Sequence, residues 1–549
     1  MGLAAKKISG PPPLSPRQEL LKIQQEIFRH NQELINNSTW VRERAFARYE
    51  KDYRRQVRDY ESVSNIDELV AAAQSAQIVY LGDYHTNKQS QRTALRLLKL
   101  LVAATERPII LAIELVQTRF QKKLDAYLKE EMDEFAFLKA IQLKKYWYFD
   151  LWENFKPIFD FAIYHKMPAF GLEANLAGSP TLAERDQMAA KVIDKICRKN
   201  PEALVFVLAG DLHMAPNHLP RAVQARARKD ESRSSVIVYQ NSESIYWKLA
   251  EAGLEDKAEV VRINPQSFCI INTPPVICQQ SYLNWLEHEE GEIDWVDART
   301  SFLELVRRIA GFMELETGKK AEEVEVFTSG DLSSLARLED DPAITRQEKK
   351  IIRRQIGASE SYYFAKKKWV YLSNLSLNHA GEEAAHFLKH IVAGNEFPRK
   401  VVDAFYANVM HEALGFFGSK IINHKRKCLH EAQFVGLLQY VENAKSRKGR
   451  ELEYEIARLV LEHKKLEMRG RLLSHQKIFS RREKVFFGVT HALGYMLGDR
   501  IYYAMVQEKI SKEEIRDLFK DKMAGEGAPA LLYLNWVRKV GRIKIPKRV

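Results

Sequence analysis

Between residues 61 and 275, short apolar runs alternate with stretches in which apolar residues recur at helical spacing. The runs are continuous rather than alternating, which is typical of strands buried on both faces of a parallel sheet. Six runs are predicted as strands, at 77–82, 108–115, 167–174, 203–210, 234–240 and 259–264. Amphipathic helices are predicted between them, for example at 90–104, 181–199 and 242–252. The pattern predicts a layered, parallel-sheet α/β domain.

The two flanking regions lack this alternation. A Pro-rich leader opens the chain, and apolar residues at helical spacing then predict an amphipathic helical arm. After about residue 295 helical periodicity prevails, interrupted by β-like runs at 324–329 and 367–373. The predicted organisation is therefore a flexible leader at 1–16, a helical arm at 17–60, an α/β domain at 61–290 and a mainly α-helical domain of unknown role at 296–549.

Composition and targeting signals narrow the class of protein. The 549 residues are 46% hydrophobic and 29% charged, which excludes wholesale disorder and collagen-like repeats. Four cysteines form no Cys-x-x-Cys pair, so neither a zinc ribbon nor a disulfide framework is expected. The amino terminus has no apolar core of a secretory signal, and no apolar run reaches about 18 residues. A cytoplasmic location is expected.

The net charge of +13 raises the question of an anionic partner. Residues 443–484 carry 13 Lys and Arg against 6 Asp and Glu, and the acids are interleaved as on a solvated helix face. These basic helices are either such a face or a contact surface for an anionic partner or membrane. Specific nucleic-acid binding is not expected, because no recognition module is present.

The strongest chemical feature is a repeated tetrapeptide, Gly-Asp-x-His, which occurs at 82–85 and at 210–213. Composition alone predicts roughly 0.03 such matches. Each copy directly follows a predicted buried strand, and two further strands end in Glu114 and Glu173. Ligands of open α/β sheets bind outside the carboxyl ends of the strands, so these side chains are expected at one rim.

Two imidazoles with carboxylates suit a divalent transition metal that keeps open positions. The predicted metal ligands are Asp83, His85, Glu114, Asp211 and His213. The same set suits a metal-free acid–base pair, because clustered carboxylates separate one another's pKa values. A third interpretation is structural, with the two aspartates capping turns and the histidines satisfied in the core.

The paired Gly-x-x-His motifs, the strand-end Glu and the helix-opening Arg185-Asp186-Gln187-Met188-Ala189 resemble the ChaN-like haem-binding uptake and Tiki superfamily. That superfamily is related to erythromycin-esterase-like enzymes, and the resemblance spans about residues 60–275. It implies an α/β fold and a site shared by haem binders and metal-dependent hydrolases. His85 and His213 match the motif histidines, Glu114 the carboxylate and Arg185 the helix-opening arginine. Relatives usually have Gly-Glu-x-His in the first motif, one methylene longer than Asp83.

The resemblance directs attention to haem ligands. A dense aromatic patch at 146–152 includes Tyr148, and a tyrosinate there, Tyr84 or His165 is a candidate ligand of ferric haem. The alternative interpretation of the patch is a helix whose aromatic side chains pack in the core.

Three function classes follow. The first is a haem- or metal-ion-binding protein of ChaN-like type whose ligand lies at the rim. The second is a metal-dependent hydrolase in which Glu114 or Glu173 acts as general base and Arg185 belongs to the catalytic set. The third is a non-catalytic scaffold whose site has decayed.

Overall fold

The computed structural model describes residues 14–38, 44–146, 152–175, 180–228, 233–290, 296–328, 333–357, 361–372, 376–394, 399–443, 450–473 and 483–546. The chain divides into two compact units. One is an α/β unit of residues 28–293 with 546–549, and the other is a helical unit of residues 1–27 with 294–545. The domain boundaries drawn from the sequence remain predictions.

The α/β unit is built on an eight-stranded sheet. The strands are β1 (Ser62–Ser64), β2 (Ile78–Asp83), β3 (Ile109–Gln117), β4 (Ala169–Glu173), β5 (Leu204–Gly210), β6 (Ser235–Gln240), β7 (Val260–Asn264) and β8 (Ser267–Ile270). Their order across the sheet is β1-β7-β8-β6-β2-β5-β3-β4. The pairs from β8 to β4 are all parallel. The predicted fold class is confirmed, and all six predicted strands are present.

The edge of the sheet beyond β8 departs from the parallel prediction. Strand β7 runs antiparallel to both β8 and β1. Only two residues separate β7 from β8, and so short a connection joins antiparallel neighbours, whereas a parallel pair needs a long crossover. The sequence analysis missed β1 and β8 because runs of three and four residues carry too little periodicity.

Helices cover the sheet and carry much of its core. They are α1 (Pro16–Ser38), α2 (Arg44–Gln56), α3 (Ile66–Ser75), α4 (Lys88–Ala104), α5 (Gln121–Leu128), α6 (Glu134–Ala140), α7 (Leu143–Tyr146), α8 (Trp152–Tyr164), α9 (Leu182–Lys199), α10 (Leu219–Gln224), α11 (Glu243–Glu251) and α12 (Pro275–Glu290). Of α1, residues 28–38 belong to this unit. Strands β2 and β3 are buried along their whole length, as sheet strands covered on both faces must be.

Two helix starts place site residues. Asn87 caps α4 by accepting a hydrogen bond from the backbone N–H of Gln89. Thr181 and Glu184 form a capping box at the start of α9. Both helices therefore begin at defined residues next to the carboxyl edge of the sheet.

The helical unit contains α13 (Val296–Met313), α14 (Ser333–Asp340), α15 (Arg346–Gly357), α16 (Leu377–Ala393), α17 (Val401–Ile422), α18 (Glu431–Asn443), α19 (Glu451–Glu467), α20 (Glu483–Val506), α21 (Lys512–Lys520) and α22 (Ala528–Val540). A three-stranded sheet of β9 (Glu325–Thr328), β10 (Tyr362–Phe364) and β11 (Trp369–Leu372) accompanies them. Strands β9 and β11 correspond to the two predicted β-like runs.

Glycine sets the separation of α17 and α20. A Cβ added at Gly498 would lie 2.3 Å from the carbonyl oxygen of Ala413, and one at Gly494 would lie 2.8 Å from that of Val409. Two helices that pack backbone to backbone in this way exclude any larger residue at those positions. No helix of the described residues has both the length and the apolar composition needed to cross a membrane.

Two parts of the sequence analysis fall on undescribed residues. Residues 1–13 of the predicted leader lie outside the described ranges. Of the basic stretch 443–484, residues 444–449 and 474–482 also lie outside them. The proposed contact of this stretch with an anionic surface therefore remains a prediction.

Candidate functional site

The first Gly-Asp-x-His motif forms an aspartate–histidine pair within itself. Asp83 is the last residue of β2, and its Oδ2 atom lies 2.7 Å from Nδ1 of His85. The other carboxylate oxygen accepts a hydrogen bond of 2.6 Å from Nε2 of Gln91, on the first turn of α4. Asp83 is buried, whereas the His85 side chain is 28% exposed. The pair fixes the imidazole so that its Nε2 atom faces away from Asp83.

Glu114 reaches the same place because β3 is irregular. Its pairing with β4 shifts register between Ile113 and Gln117, so β3 carries a bulge that begins beside Glu114. A bulge bends a strand and re-aims its side chains, and bulges are common next to functional sites. Gly171 of β4 permits the bulge, since a Cβ there would lie 2.5 Å from the carbonyl oxygen of Val116.

The Glu114 carboxylate lies between the two motif histidines. Its Oε2 atom is 3.7 Å from Nε2 of His85, and its Oε1 atom is 3.5 Å from Nε2 of His213. The backbone N–H of Gly210 donates a hydrogen bond of 2.5 Å to Oε2. A Cβ at Gly210 would approach His85 Nε2 to 3.2 Å and Glu114 Oε2 to 3.4 Å, so this glycine keeps the centre of the site open.

The second motif uses a different aspartate. His213 places its Nδ1 atom 2.7 Å from Oδ1 of Asp186, which lies on α9, and not against Asp211 of its own motif. The hydroxyl of Tyr49 on α2 donates to Oδ2 of Asp186 at 2.6 Å and lies 3.0 Å from His213 Nδ1. The Tyr49 ring stacks on His218 with centroids 3.5 Å apart. His213 is therefore fixed by a carboxylate and a tyrosine from two helices.

The hydrogen-bond partners of the Asp211 carboxylate are residues other than the two histidines. It accepts a hydrogen bond from the hydroxyl of Tyr53 on α2, and the backbone N–H of Gln240 lies 3.4 Å from its Oδ1 atom. Its carboxylate covers Gly82 so closely that a Cβ there would lie 1.7 Å from Oδ1. The Asp211 carboxylate is thus engaged by α2 and β6, while Asp83 and His85 lie near enough to influence its pKa, and its role as a metal ligand remains a prediction.

Arg185 links the two strand-end glutamates. It opens the first turn of α9 and forms ion pairs with Glu114 and with Glu173, the latter through two nitrogens, one of them Nε at 3.0 Å. Glu173 is the last residue of β4 and is 1% exposed. The structure thus brings Glu114, Glu173 and Arg185, predicted as catalytic, into direct contact.

Burial and charge shift several pKa values in the site. Burial and the neighbouring Glu114 raise the pKa of Glu173 to about 7, against the lowering effect of Arg185. Burial raises the pKa of Asp211 to about 7 although Tyr53 donates to its carboxylate. Burial acts to lower the pKa of His213, but Glu114 and Asp186 outweigh it and raise that pKa to about 9. Near neutral pH, His213 is therefore protonated and hydrogen-bonded to a carboxylate.

The pKa values of His85 and of Glu114 itself are shifted in directions that favour their charged forms. Burial opposes the charge on His85, yet Asp83 and Glu114 together raise its pKa. Burial also disfavours the Glu114 carboxylate, but His213 and Arg185 hold its pKa well below the usual value. Glu114 is thus the anion around which two imidazoles and one guanidinium are arranged.

The residues predicted to bind haem lie in different places. Tyr84 lies beside the rim, where burial and then Cys278 raise its pKa, which disfavours the phenolate that ferric iron requires. His165 is exposed and precedes β4, at the opposite edge of the sheet from the rim. Tyr148 lies outside the described residues.

The residue types at the rim, two imidazoles and a carboxylate, suit a metal ion. The distances between their ligand atoms suit it less well. Each histidine has its Nδ1 atom on an aspartate and its Nε2 atom facing Glu114, and a carboxylate on Nδ1 is common behind metal-binding histidines. Among the described residues, however, His85, Glu114 and His213 do not form a triad whose ligand atoms all lie within 4.8 Å. Arg185 also occupies the carboxylate that a metal would need.

Sequence reasoning missed three residues of this site. Asp186 lies in the quoted helix-opening motif but was given no role. Tyr49 and Tyr53 lie four residues apart on one face of the predicted arm, a spacing that indicated only an apolar stripe. The two tyrosine hydroxyls of Tyr49 and Tyr53 could have indicated a contact with the rim, because a helix that covers polar side chains needs polar groups on its inner face.

Part of the chain is similar to a known protein family. Residues 69–179 match the family described as haem-binding uptake, Tiki superfamily, ChaN, which confirms the resemblance over that span. The match includes Asp83, His85, Glu114 and Glu173. It ends before the second Gly-Asp-x-His motif and before α9.

Two solved structures are also similar to part of the chain. A structure of cofacial heme binding to ChaN of Campylobacter jejuni is 15% identical, covers 37% of this chain and 91% of its own, and has a TM-score of 0.26. The structure of the type III effector HopBA1 is 14% identical, with coverages of 39% and 96% and a TM-score of 0.28. No curated protein matches the chain.

Proposed function

We propose that the rim is an acid–base catalytic site of hydrolytic type, centred on His85, Glu114 and His213. One observation carries the proposal: two aspartate–histidine pairs, each with a 2.7 Å contact at Nδ1, direct their Nε2 atoms at one carboxylate. A carboxylate on Nδ1 fixes the tautomer and orientation of an imidazole that works through Nε2.

The two histidines are assigned different roles. His213 has a pKa raised to about 9 and is protonated at neutral pH, so it serves as general acid for the leaving group. His85 is the more exposed of the two and, when neutral, donates Nδ1–H to Asp83 and accepts a proton from water at Nε2. The base and the acid thus stand on opposite sides of Glu114.

Glu114 and Arg185 act by positioning in this proposal, and Glu173 serves as a second proton acceptor. Arg185 binds both glutamates and holds Glu114 in its ionised form between the histidines. The backbone N–H of Gly210 fixes the same carboxylate from the other side. Glu173, with a pKa of about 7, is a second proton acceptor next to the site.

A cavity lies on the side of His213 that carries Asp186 and Tyr49. It has a volume of about 680 Å³ and is lined by α2, α9 and α10, with Tyr49, Asp186 and His218 in its wall. These residues contact one another and, through Asp186, His213. Arg48, Arg221 and Asp52 also line the cavity, so its wall carries charges of both signs.

The second candidate function is the binding of a transition metal at the rim. The Nε2 atoms of His85 and His213 with a Glu114 oxygen would hold it, and the aspartates behind the imidazoles favour this interpretation. When bound, such a metal lowers the pKa of water and so supplies hydroxide. Arg185 would then have to release Glu114.

Haem is the third candidate, because residues 69–179 match a haem-binding uptake family. Of the two predicted haem ligands that the structure describes, Tyr84 lies beside the rim and His165 does not. Tyr84→Phe should then reduce haem affinity, while His85→Ala should leave it close to that of the wild type.

The test uses the full chain with p-nitrophenyl acetate, p-nitrophenyl phosphate and a peptide anilide as probes. We expect hydrolysis of one of these classes, and His85→Ala and His213→Ala should each reduce kcat by about 100-fold or more. His165→Ala is the matched control, because it removes an exposed imidazole at the opposite sheet edge and should leave kcat unchanged.

Metal analysis and haem titration separate the candidates. Activity that survives chelation in protein free of transition metal supports the metal-free acid–base site, and activity restored only by added Mn²⁺, Co²⁺ or Zn²⁺ supports the second candidate. A stoichiometric Soret band without hydrolysis of any probe contradicts catalysis and favours haem binding. Equal activity in wild type and both histidine variants overturns the assignment.

A further inference from the structure

A second cluster of metal-type ligands lies in the helical unit, and it is independent of the rim. Cys428 and His430 belong to the segment between α17 and α18, and Asp499 belongs to α20. Their ligand atoms all lie within 4.8 Å of one another. Asp499 is buried, while Cys428 and His430 are partly exposed. The cluster is therefore accessible to an ion from one side.

The contacts have the dimensions of a coordination shell. Sγ of Cys428 lies 3.6 Å from Nε2 of His430, and the same Nε2 lies 3.1 Å from Oδ2 of Asp499. A tetrahedral ion with metal–sulfur bonds of about 2.3 Å and metal–nitrogen and metal–oxygen bonds of about 2.1 Å separates sulfur and nitrogen by about 3.6 Å and nitrogen and oxygen by about 3.4 Å. The two separations agree with these values to within about 0.3 Å, and the ligand atoms of Cys428 and Asp499 lie within 4.8 Å of each other.

The geometry does not fit a cysteine nucleophile activated by a histidine–aspartate pair. Such a relay needs the thiol on one ring nitrogen and the carboxylate on the other. Here both Cys428 and Asp499 approach Nε2 of His430. Three donors that converge on one point are the arrangement of ligands around an ion.

Lys420 orients the carboxylate of this cluster. Its buried ammonium donates to Oδ1 of Asp499 at 2.6 Å and to the backbone oxygen of Arg426 at 3.2 Å, and it lies 3.3 Å from the hydroxyl of Tyr503. The lysine thus uses one carboxylate oxygen and leaves the other directed at His430. Partners of this kind fix metal-binding carboxylates in place.

We propose that Cys428, His430 and Asp499 bind one Zn²⁺ ion in the helical unit. Thiolate, imidazole and carboxylate are the ligands that zinc combines in tetrahedral sites. The described residues supply three protein ligands, and we assign the fourth position to water or an exogenous ligand. The ion ties the segment after α17 to α20 and releases the thiol proton of Cys428 to solvent when it binds.

Cobalt titration of the reduced, metal-free full chain tests the site, because Co²⁺ replaces Zn²⁺ in tetrahedral sites and reports its ligands. We expect one equivalent of Co²⁺ to give a thiolate-to-cobalt charge-transfer absorption that Zn²⁺ then displaces. The band distinguishes this site from the rim, whose candidate ligands include no sulfur. The double variant His85→Ala, His213→Ala should keep the band.

Matched variants complete the experiment. Cys428→Ser should abolish the band, and Cys197→Ser, which alters a buried cysteine of α9, should leave it unchanged. His430→Ala should weaken Co²⁺ binding by about 10- to 100-fold. A wild type without the band at stoichiometric Co²⁺, or a band that survives Cys428→Ser, overturns the proposal.

A measurement on the wild type guards against variants that fail to fold. Zn²⁺ should slow the alkylation of Cys428 by iodoacetamide at least about 10-fold, as measured by mass spectrometry of the Cys428 peptide. An alkylation rate that Zn²⁺ does not change contradicts a zinc thiolate at this position.

Discussion

The two Gly-Asp-x-His motifs have the same sequence pattern and follow neighbouring strands, yet they use their aspartates differently. Asp83 pairs with His85 inside its own motif. Asp211 instead binds Tyr53, and His213 takes Asp186 from another element. The comparison shows that a repeated motif places its histidines alike without placing its carboxylates alike.

The backbone after each strand explains the difference. Asp83 is the last residue of β2 and His85 lies in the turn that follows, where Oδ2 of Asp83 reaches Nδ1 of His85. Residues 211–214 form a 3-10 turn, in which residues two apart point about 120° away from each other. His213 therefore turns toward Glu114 while Asp211 turns toward α2, and Asp186 fills the position behind the imidazole.

The motif glycines give the largest expected contrast. Gly82→Ala would place a Cβ against the Asp211 carboxylate and 3.1 Å from its Cα, so we expect the free energy of unfolding to fall by about 2–3 kcal/mol. Gly210→Ala meets only side-chain atoms at 3.2 Å or more, so its cost should stay below about 1 kcal/mol. Urea denaturation of both variants measures the difference.

The effect of Gly210→Ala on catalytic activity should be larger than its effect on stability. Gly210→Ala fills the space between His85 and Glu114, so it should reduce turnover of any substrate of the rim while the protein remains folded. If Gly210→Ala proves the more destabilising of the two, the packing described for the motifs is wrong.

The second contrast concerns which aspartate governs His213. Asp186→Asn removes the charge that contacts Nδ1, so the pKa of His213 should fall from about 9 by at least about 1. Asp211→Asn removes the aspartate of the same motif, yet the pKa of His213 should stay close to 9. Histidine resonances followed by NMR through a pH titration measure both values. If the pKa of His213 changes more in Asp211→Asn than in Asp186→Asn, then Asp211 is the aspartate that governs His213.

The fold could be predicted from sequence because its signal is local. Continuous apolar runs revealed six strands, and helical periodicity revealed the long helices of both units. The short strands β1 and β8 and the antiparallel direction of β7 escaped, because strand direction depends on how long the connection to its neighbour is.

The sequence predicts only those site residues that lie at or just after the ends of strands. His85, Glu114, Glu173 and His213 follow from the rule that parallel strands deliver side chains to one edge. The pairing of His213 with Asp186 depends on how α9 packs against β4 and β5, which no residue pattern encodes. The covering of the rim by Tyr49 and Tyr53 depends on the packing of α2 in the same way.

The last contrast concerns opposite halves of one pH profile. Asp211 binds its proton more tightly in the folded chain, with a pKa of about 7 against a usual 3.8, so stability falls as the pH rises from about 4 to 7. His213 has a folded pKa of about 9 against a usual 6.5, so the stability it contributes is complete below about 6.5 and is lost as the pH rises through 9. One motif therefore carries two separate titration windows.

Variants of the two residues should remove these windows one at a time. We expect Asp211→Asn to reduce the fall in the free energy of unfolding between pH 4 and 7 without abolishing it, because Glu173 also titrates near 7. We expect His213→Gln to flatten the profile between about pH 6.5 and 9 and to leave the acid half unchanged. Urea unfolding at closely spaced pH values measures both halves. If His213→Gln keeps the wild-type slope above pH 6.5, then Asp186 and Glu114 do not hold a proton on this imidazole, and its role as the general acid fails with it.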